Sequence, residues 1–360
     1  MNLKRFLALA LALVMVLILG ACGEEPAVET VAPSADAEDP VDAGNIFEDP
    51  DAPVFNFRAY CSAPDSAVNG AGAKYLCDII RERSNGKIDY EYFGNAILGG
   101  ERDMIESLQI GDLDMMVGGP VLANFSPSFE IMNMPFLFNS REHAYSALDG
   151  DFGAAVFEDV KEEAGIIGLG WFDNGFYDVM NGKYPEVTGY EQFAGLNIRT
   201  VESAGYQAGW IAVGANPVAM AVSEVYTSVQ NGTVDGICLG ITGTHSMGLH
   251  EAGQVNYCTL YMYYGALPIL VSESSWNEMP EEYRELVVEC VADAVEYERG
   301  LAMDYESGAI EDFEEAGCHY QVLDEAAREE WKEYVTGIVY PEFSDIITQD
   351  KLDLLAKYDT

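Results

Sequence analysis

Positive charge is what this 360-residue chain has least of: 18 lysines and arginines stand against 61 aspartates and glutamates, a formal net charge of −43. Nucleic acid is excluded as a partner, because phosphate backbones are held by basic clusters that are absent here. Histidine is rarer still. His143, His245, His250 and His319 form no His-Glu-x-x-His motif, so each reads as a surface or packing residue and no metal is expected. The six cysteines beyond Cys22 (Cys61, Cys77, Cys238, Cys258, Cys290 and Cys318) are an even number, which permits disulfides, but no Cys-x-x-Cys pair marks a zinc or redox site. They read mostly as buried thiols. Enzyme signatures fail in turn: Gly243-Thr244-His245-Ser246-Met247-Gly248 lacks the glycine two residues before Ser246 that a nucleophile elbow needs. Gly165, Gly168 and Gly170 have the wrong spacing for a dinucleotide loop, and no Walker-type lysine follows a glycine cluster. No cofactor is expected. After the first 22 residues no apolar run is long enough to span a membrane.

What is present begins with an export signal. Lys4 and Arg5 precede an apolar run from Phe6 to Leu19 and a Leu19-Gly20-Ala21-Cys22 site, the pattern cleaved before a cysteine that becomes lipidated. Cys22 would then be the mature N-terminus, held to a bacterial membrane by acyl chains; the alternative is an ordinary secretory signal with Cys22 incidental. Residues 23 to 52 carry ten acids and no base in an Ala/Pro-rich context and read as a disordered, self-repelling tether, which places the start of the globular body near Pro53. With 49% hydrophobic and 11% aromatic residues in the chain, the body is long enough for two lobes with separate cores. Its 16 bases against 51 acids repel anions at long range, so an anionic ligand would need a locally positive cleft.

Periodicity predicts an α/β body. Strands are expected at 54–60, 87–92, 113–117, 166–172, 197–201 and 233–237, alternating with helices at 66–84, 99–110 and 223–232, the last with Ser223 as N-cap. In such parallel architecture ligands gather at the carboxyl ends of strands. The longest helical pattern runs from Pro280 to about Ala316, with Leu286, Val287, Cys290, Val291, Ala294 and Val295 as its apolar stripe and Gly300 and Gly308 as points where it could bend. Trp171, Phe172, Phe176, Tyr177 and Tyr264 fit the walls of a pocket and fit a core equally well.

Between Lys183 and Arg284 the only lysine or arginine is Arg199, at the end of the strand-like run Gly195-Leu196-Asn197-Ile198-Arg199. A guanidinium keeps its charge and offers a planar fork that matches a carboxylate, so this arginine either reads an anionic ligand or forms a structural ion pair with a neighbouring acid.

Six motifs in order then resemble one family: Leu98-Gly99-Gly100-Glu101-Arg102-Asp103-Met104, Pro135-Phe136-Leu137-Phe138, Gly195 to Arg199, Gly214-Ala215-Asn216-Pro217, Ser223-Glu224-Val225-Tyr226 and Val234-Asp235-Gly236. They resemble the DctP-type solute receptors of tripartite ATP-independent periplasmic (TRAP) transporters. The resemblance implies a two-lobed periplasmic-binding-protein-like clamshell with a long helix crossing both lobes, lobe one being 53–174 with 265–304 and lobe two 175–264 with 305–360. It implies an extracytoplasmic receptor, not an enzyme, that closes on a small organic acid and delivers it to the small and large membrane subunits of an ion-gradient-driven permease.

By motif, pocket positions fall at Ser62, Glu101, Gly119, Tyr177, Arg199, Val222 and Leu239, with Arg199 matching the family's carboxylate-pairing arginine. Asn174 and Tyr264, where the crossing strands would hinge, and Trp171 complete the ligand-binding candidates. This chain departs from the pattern at three of these. Tyr177 replaces a second arginine found in members that bind sialic acid, Leu239 replaces an amide, and Val222 stands where an aromatic ring is common. A less polar cleft follows, suited to a monocarboxylate with an apolar or aromatic body, with Glu101 answering an amino or hydroxyl group or only a neighbouring turn. Two rival readings are a lipid-anchored extracellular enzyme using Glu101 or Asp235 as a base, and a sensory receptor of the same fold.

Overall fold

The computed structural model describes residues 46–358. The signal segment, the lipidation of Cys22 and the acidic stretch up to residue 45 lie outside the described residues. After a 3-10 turn at Ile46–Glu48 come β1 (Phe55–Cys61), α1 (Val68–Arg83), β2 (Ile88–Phe93), α2 (Glu101–Ile110) and β3 (Met115–Val117). Two further 3-10 turns, Pro120–Asn124 and Pro127–Asn133, lead to α3 (Arg141–Leu148), α4 (Asp151–Ala164) and the long β4 (Ile166–Asn181). Next come β5 (Asn197–Thr200), α5 (Ala204–Ala212), β6 (Asn216–Ala219), α6 (Val225–Gln230), β7 (Gly236–Leu239), α7 (Ile241–Ser246) and a second long strand, β8 (Asn256–Ser272). The order is completed by α8 (Glu273–Glu278), α9 (Glu281–Glu315), β9 (His319–Val322), α10 (Glu325–Glu342) and α11 (Gln349–Leu355).

Among the described residues one nine-stranded sheet runs β2-β1-β3-β8-β4-β7-β5-β6, with β9 also paired to β8. β1 is parallel to β2 and β3, and β5 is parallel to β6 and β7, as strand–helix–strand repeats require. These two parallel wings, the two lobes of the clamshell, are joined by the antiparallel β4–β8 pair, whose register runs from Ile166↔Ser272 to Asn181↔Asn256. One apolar core lies under the first wing, where Phe57, Ile80, Ile88 and Tyr90 meet Val287 and Cys290 of α9. The larger one includes Phe152, Val160, Trp210, Tyr263 and Trp331.

The Asn174-Gly175 step does not end β4. Gly175 adopts φ +69, and its N–H donates to Asp173 Oδ1 at 2.7 Å, so the step becomes a bulge between Asp173 and Phe176 and the strand goes on pairing with β8. A side chain is excluded at Gly175, where a Cβ would lie 3.0 Å from Arg141 Nη2. The bulge is fastened to two helices. Asp173 Oδ2 accepts from Arg141 Nε at 2.7 Å and Tyr145 Oη at 2.6 Å, Arg141 also pairs with Glu306 of α9, and the Asp173 N–H donates to Glu298 Oε2 at 2.9 Å.

Helix α9 runs without a break through Gly300 and Gly308, both of which face open space. Its first half packs on α1 through Arg83–Asp293 at 2.5 Å and the Tyr75–Tyr297 stack, and its second half meets α7 through His245–Asp312 at 3.1 Å. It therefore crosses both wings.

Three boundaries differ from the sequence expectation. The body begins before Pro53: Phe47 is buried against Tyr283 at 4.9 Å, and Lys87 Nζ donates to the carbonyls of Pro50 and Ala52, because Ile46 and Phe47 supply an apolar anchor inside an acidic stretch. Ser223 caps nothing; Val222–Glu224 is a 3-10 turn and the α-helix starts at Val225. The C-terminal segment leaves the second wing and returns to α4, where Lys351 pairs with Asp159 at 2.6 Å and Asp151 N–H donates to Tyr358 Oη at 2.8 Å. Six cysteines are free thiols among the described residues.

Asp178 sits in the next irregular stretch of β4 and accepts from Met262 N–H at 3.1 Å; burial pushes its carboxyl from 3.8 up to about 7. A folded-state pKa above the unfolded one contributes stability that is complete below the unfolded value and lost as pH rises through the folded value. Urea unfolding between about pH 4 and pH 7.5 should therefore show stability falling with pH, and Asp178→Asn should remove on the order of a few kcal/mol of that fall. An identical slope in the variant would refute the assignment.

Candidate ligand-binding site

A cavity of about 410 Å³ lies between the carboxyl ends of the two wings. Its deepest cation is Arg199, the third residue of β5, held between β6 and β7 by the pairs Arg199↔Val218 and Arg199↔Ile237. Only 2% of it is exposed. Nη2 donates to the Met220 carbonyl at 2.8 Å and Nη1 reaches the Cys238 carbonyl at 3.4 Å, while Nε has no partner. Burial lowers its pKa, yet a guanidinium stays protonated across the physiological range. No carboxylate pairs with it among the described residues, so the structural ion pair is not what forms. A buried cation without a counter-ion costs several kcal/mol, which an anionic ligand would offset.

Tyr177 follows the bulge and turns its ring into the cavity beside Arg199. Its oxygen accepts from Asn174 Nδ2 at 2.6 Å, and burial pushes the phenol up to about 12, opposed by Asn174 and Arg199, so it remains a donor. Across the cavity Glu101 opens α2, where Gly100 precedes it as the helix cap and offers no side chain. The stem of Glu101 is half-buried, but its Oε1 is fully enclosed and has no partner. Burial is the main cause that lifts this carboxyl from 4.5 to about 7, the Glu202 charge adding to it and the facing Gly119 N–H working against it. Gly119 permits that approach, since a Cβ there would stand 3.2 Å from Oε1. Ser62 at the end of β1, Leu239 at the end of β7 and the half-exposed Val222 on the rim also line the cavity.

Two sequence candidates do not. Trp171 is buried with its ring stacked on Phe157 of α4 at 4.2 Å, and Tyr264 packs edge-on against Phe138 and Phe176. Strand alternation is the reason: Phe176 and Tyr264 are register partners, and Tyr177, the next residue, points to the opposite face. Both are core residues.

The sequence reading also missed lining residues. Arg102 adjoins Glu101 in its motif and Glu202 stands three residues after Arg199, so both could have been found from the sequence. Arg102 lies over the Phe125 ring at 5.6 Å and has no ion pair among the described residues. Met220, Thr242, Ser246 and Tyr305 gave no local signal, since only the packing of α7 and α9 brings the last three to the cavity. Among the described residues there is no group of three side chains able to hold a metal. Chemically, the site can bind and orient an anion with a partly apolar body.

The model of bacterial extracellular solute-binding protein family 7 (DctP) matches residues 61–344. The chain is 29% identical over 291 residues to the C4-dicarboxylate-binding periplasmic protein DctP of Rhodobacter capsulatus, covering 79% of this chain and 85% of that protein. It is 28% identical to the 2,3-diketo-L-gulonate-binding periplasmic protein YiaO of Escherichia coli K12, covering 79% and 82%. Among solved structures it is similar to a TRAP periplasmic solute-binding protein of Bradyrhizobium sp. BTAi1 in complex with D-galacturonate, with a TM-score of 0.77, 28% identity and coverage of 85% of this chain and 100% of that one. A second is the sugar acid binding protein DctPAm of Advenella mimigardefordensis in complex with galactonate, at a TM-score of 0.79, 22% identity and coverage of 85% and 99%. A buried, unpaired arginine in a cleft between two parallel wings and a family match across most of the body lead to one conclusion: the chain belongs to bacterial extracellular solute-binding protein family 7, whose members bind solutes rather than transform them.

Proposed function

We propose that this chain is the extracytoplasmic receptor of a TRAP transporter, that it grips the carboxylate of a small monocarboxylic acid with Arg199, and that it delivers the acid to the permease's small and large membrane subunits. The observation that carries the reading is the Arg199 guanidinium, buried in the cavity with Nε unpartnered and no carboxylate paired with it among the described residues. Nε and the unused Nη protons are suited to a bidentate carboxylate. Tyr177 supplies a donor where a second cation would favour a dicarboxylate. Leu239, Val222 and Met220 give the body of the ligand an apolar bed, which supports an acid with a hydrocarbon or aromatic body. Closure would pivot on the bulged segment at Asp173 to Phe176, opposite Tyr264, dividing lobe one (53–174 with 265–304) from lobe two. Lipidation at Cys22 would keep the receptor at the membrane, in line with the Leu19-Gly20-Ala21-Cys22 pattern; no described helix is long and apolar enough to cross one.

A second reading, a sugar acid, is favoured by the enclosed and unpartnered Glu101 Oε1 and by the galacturonate and galactonate complexes of the similar structures. A thermal-shift panel of apolar monocarboxylates, hexuronates, aldonates and dicarboxylates separates the two, because a ligand at 100 times its Kd adds about 2.7 kcal/mol of stability. Hits confined to hexuronates and aldonates would replace the apolar-body reading.

Arg199→Ala should weaken the best acid on the order of 100-fold, and Arg199→Lys should recover part of that loss with a point charge in place of a fork. Undiminished affinity in Arg199→Ala, measured by calorimetry, would overturn the central assignment. Glu101 adds a pH dependence. Because its carboxyl is neutral below about 7 and charged above, a carboxylate ligand should bind more weakly as pH rises through that value, several-fold between about pH 6 and pH 8. Glu101→Gln should flatten this profile; an unaltered profile would show that Glu101 is not the titrating group.

A further inference from the structure

We infer that Tyr305 of α9 is a specificity-determining residue of the cleft, fixed by His245 as a hydrogen-bond acceptor, so that the bound acid turns a hydroxyl or amino donor towards α9. The inference deepens the receptor reading above and rests on it.

Tyr305 lines the same cavity as Arg199, next to Thr242, Ser246 and Met247 from α7 and the loop after it. Its hydroxyl oxygen stands 3.2 Å from His245 Nδ1, and the other ring nitrogen, Nε2, stands 3.1 Å from Asp312 Oδ2. The three side chains form a chain from the cavity to the surface, with the histidine on α7 and both its partners on α9. An ionised carboxylate only accepts, so in the neutral imidazole the proton lies on Nε2 and points at Asp312. Nδ1 is then a bare lone pair. Tyr305 must donate its single proton to it, and burial together with the Asp312 charge keeps the phenol un-ionised by raising its pKa. What remains for the cavity is the oxygen's lone pairs.

A ligand hydroxyl or ammonium in that position finds an acceptor. A keto group or a second carboxylate would set acceptor against acceptor, and a methylene would leave the oxygen desolvated. His245 touches no ligand in this arrangement; it is a positioning residue, and it also holds the α7 wall of the cavity against α9.

The test has two arms on the mature full chain. First, two-bond proton–nitrogen NMR at about pH 8, above the ordinary histidine range, with the His245 signals assigned by their loss in His245→Gln. The Nε2–H tautomer is expected, and the Nδ1–H tautomer would overturn the inference. Second, calorimetry with acids paired to differ by one hydroxyl: mandelate against phenylacetate, 3-hydroxybutyrate against butyrate. The hydroxylated member should bind about ten-fold more tightly, and Tyr305→Phe should abolish that preference by weakening the hydroxylated member alone. His245→Gln, whose carbonyl can accept from Tyr305 while its amide donates to Asp312, should retain the preference, and His245→Leu should lose it. A preference untouched by Tyr305→Phe, or equal weakening of both members, would overturn the inference while leaving the Arg199 reading standing. Failure of every acid to bind, or binding that survives Arg199→Ala, would sink the receptor reading and the ligand class inferred here with it.

Discussion

The antiparallel pairing of β4 with β8 is the constraint on which the rest of this protein hangs. Both strands are long enough to belong to two parallel wings at once, and the bulge between Asp173 and Phe176 lies where one wing gives way to the other. At that point the Asp173 backbone is tied to α9 through Glu298, and its buried carboxylate to α3 through Arg141, which also pairs with Glu306 of α9. Asn174 and Tyr177, one and four residues further on, line the cavity. The lining of the cavity and the fastening of the two wings therefore share one short run of backbone.

Electrostatics explains how so acidic a chain could hold the acid proposed for it. The long-range field of the body repels anions, but binding is decided inside a cavity where water is scarce and local groups dominate. There Arg199 is charged and pairs with no carboxylate among the described residues, Tyr177 is a neutral phenol, and burial lifts the Glu101 carboxyl to about 7. The cleft thus sets Arg199 and Arg102 against Glu101 and Glu202, a far more balanced charge than that of the strongly negative body. Arg102, an exposed residue, also lines the cavity. The Tyr305–His245–Asp312 chain applies the same logic to hydrogen-bond polarity, since an exposed carboxylate sets the direction of a proton one side chain away.

The alternation of strands and helices, the length of α9 and the isolation of Arg199 were legible because each depends on local spacing or on composition within a window. Ser62, Glu101, Gly119, Tyr177, Val222 and Leu239 were placed in the cleft by motif and Asn174 by its place at the expected hinge, and all of them line it. Trp171 and Tyr264 were misplaced because aromatic character does not tell which face of a strand is used; that depends on register, and here on bulges that shift it. Acidic composition hid the anchoring of Phe47 for a similar reason. Two apolar residues in a charged stretch carry little weight in a window average, yet one of them fills a site against Tyr283 that is built from residues far along the chain.

Composition, periodicity and motif order were enough to read an acidic α/β solute-binding protein with a lone arginine in one wing, since such properties are written in neighbouring residues and in counts. Which side chains share the cavity, that Arg199 pairs with no carboxylate among the described residues, that burial raises the Glu101 carboxyl, and that Tyr305 meets His245 were decided by the packing of helices and strands from both wings. Solvent exclusion and the distance between groups remote in sequence govern charge and proton position, and neither exists until the chain is folded.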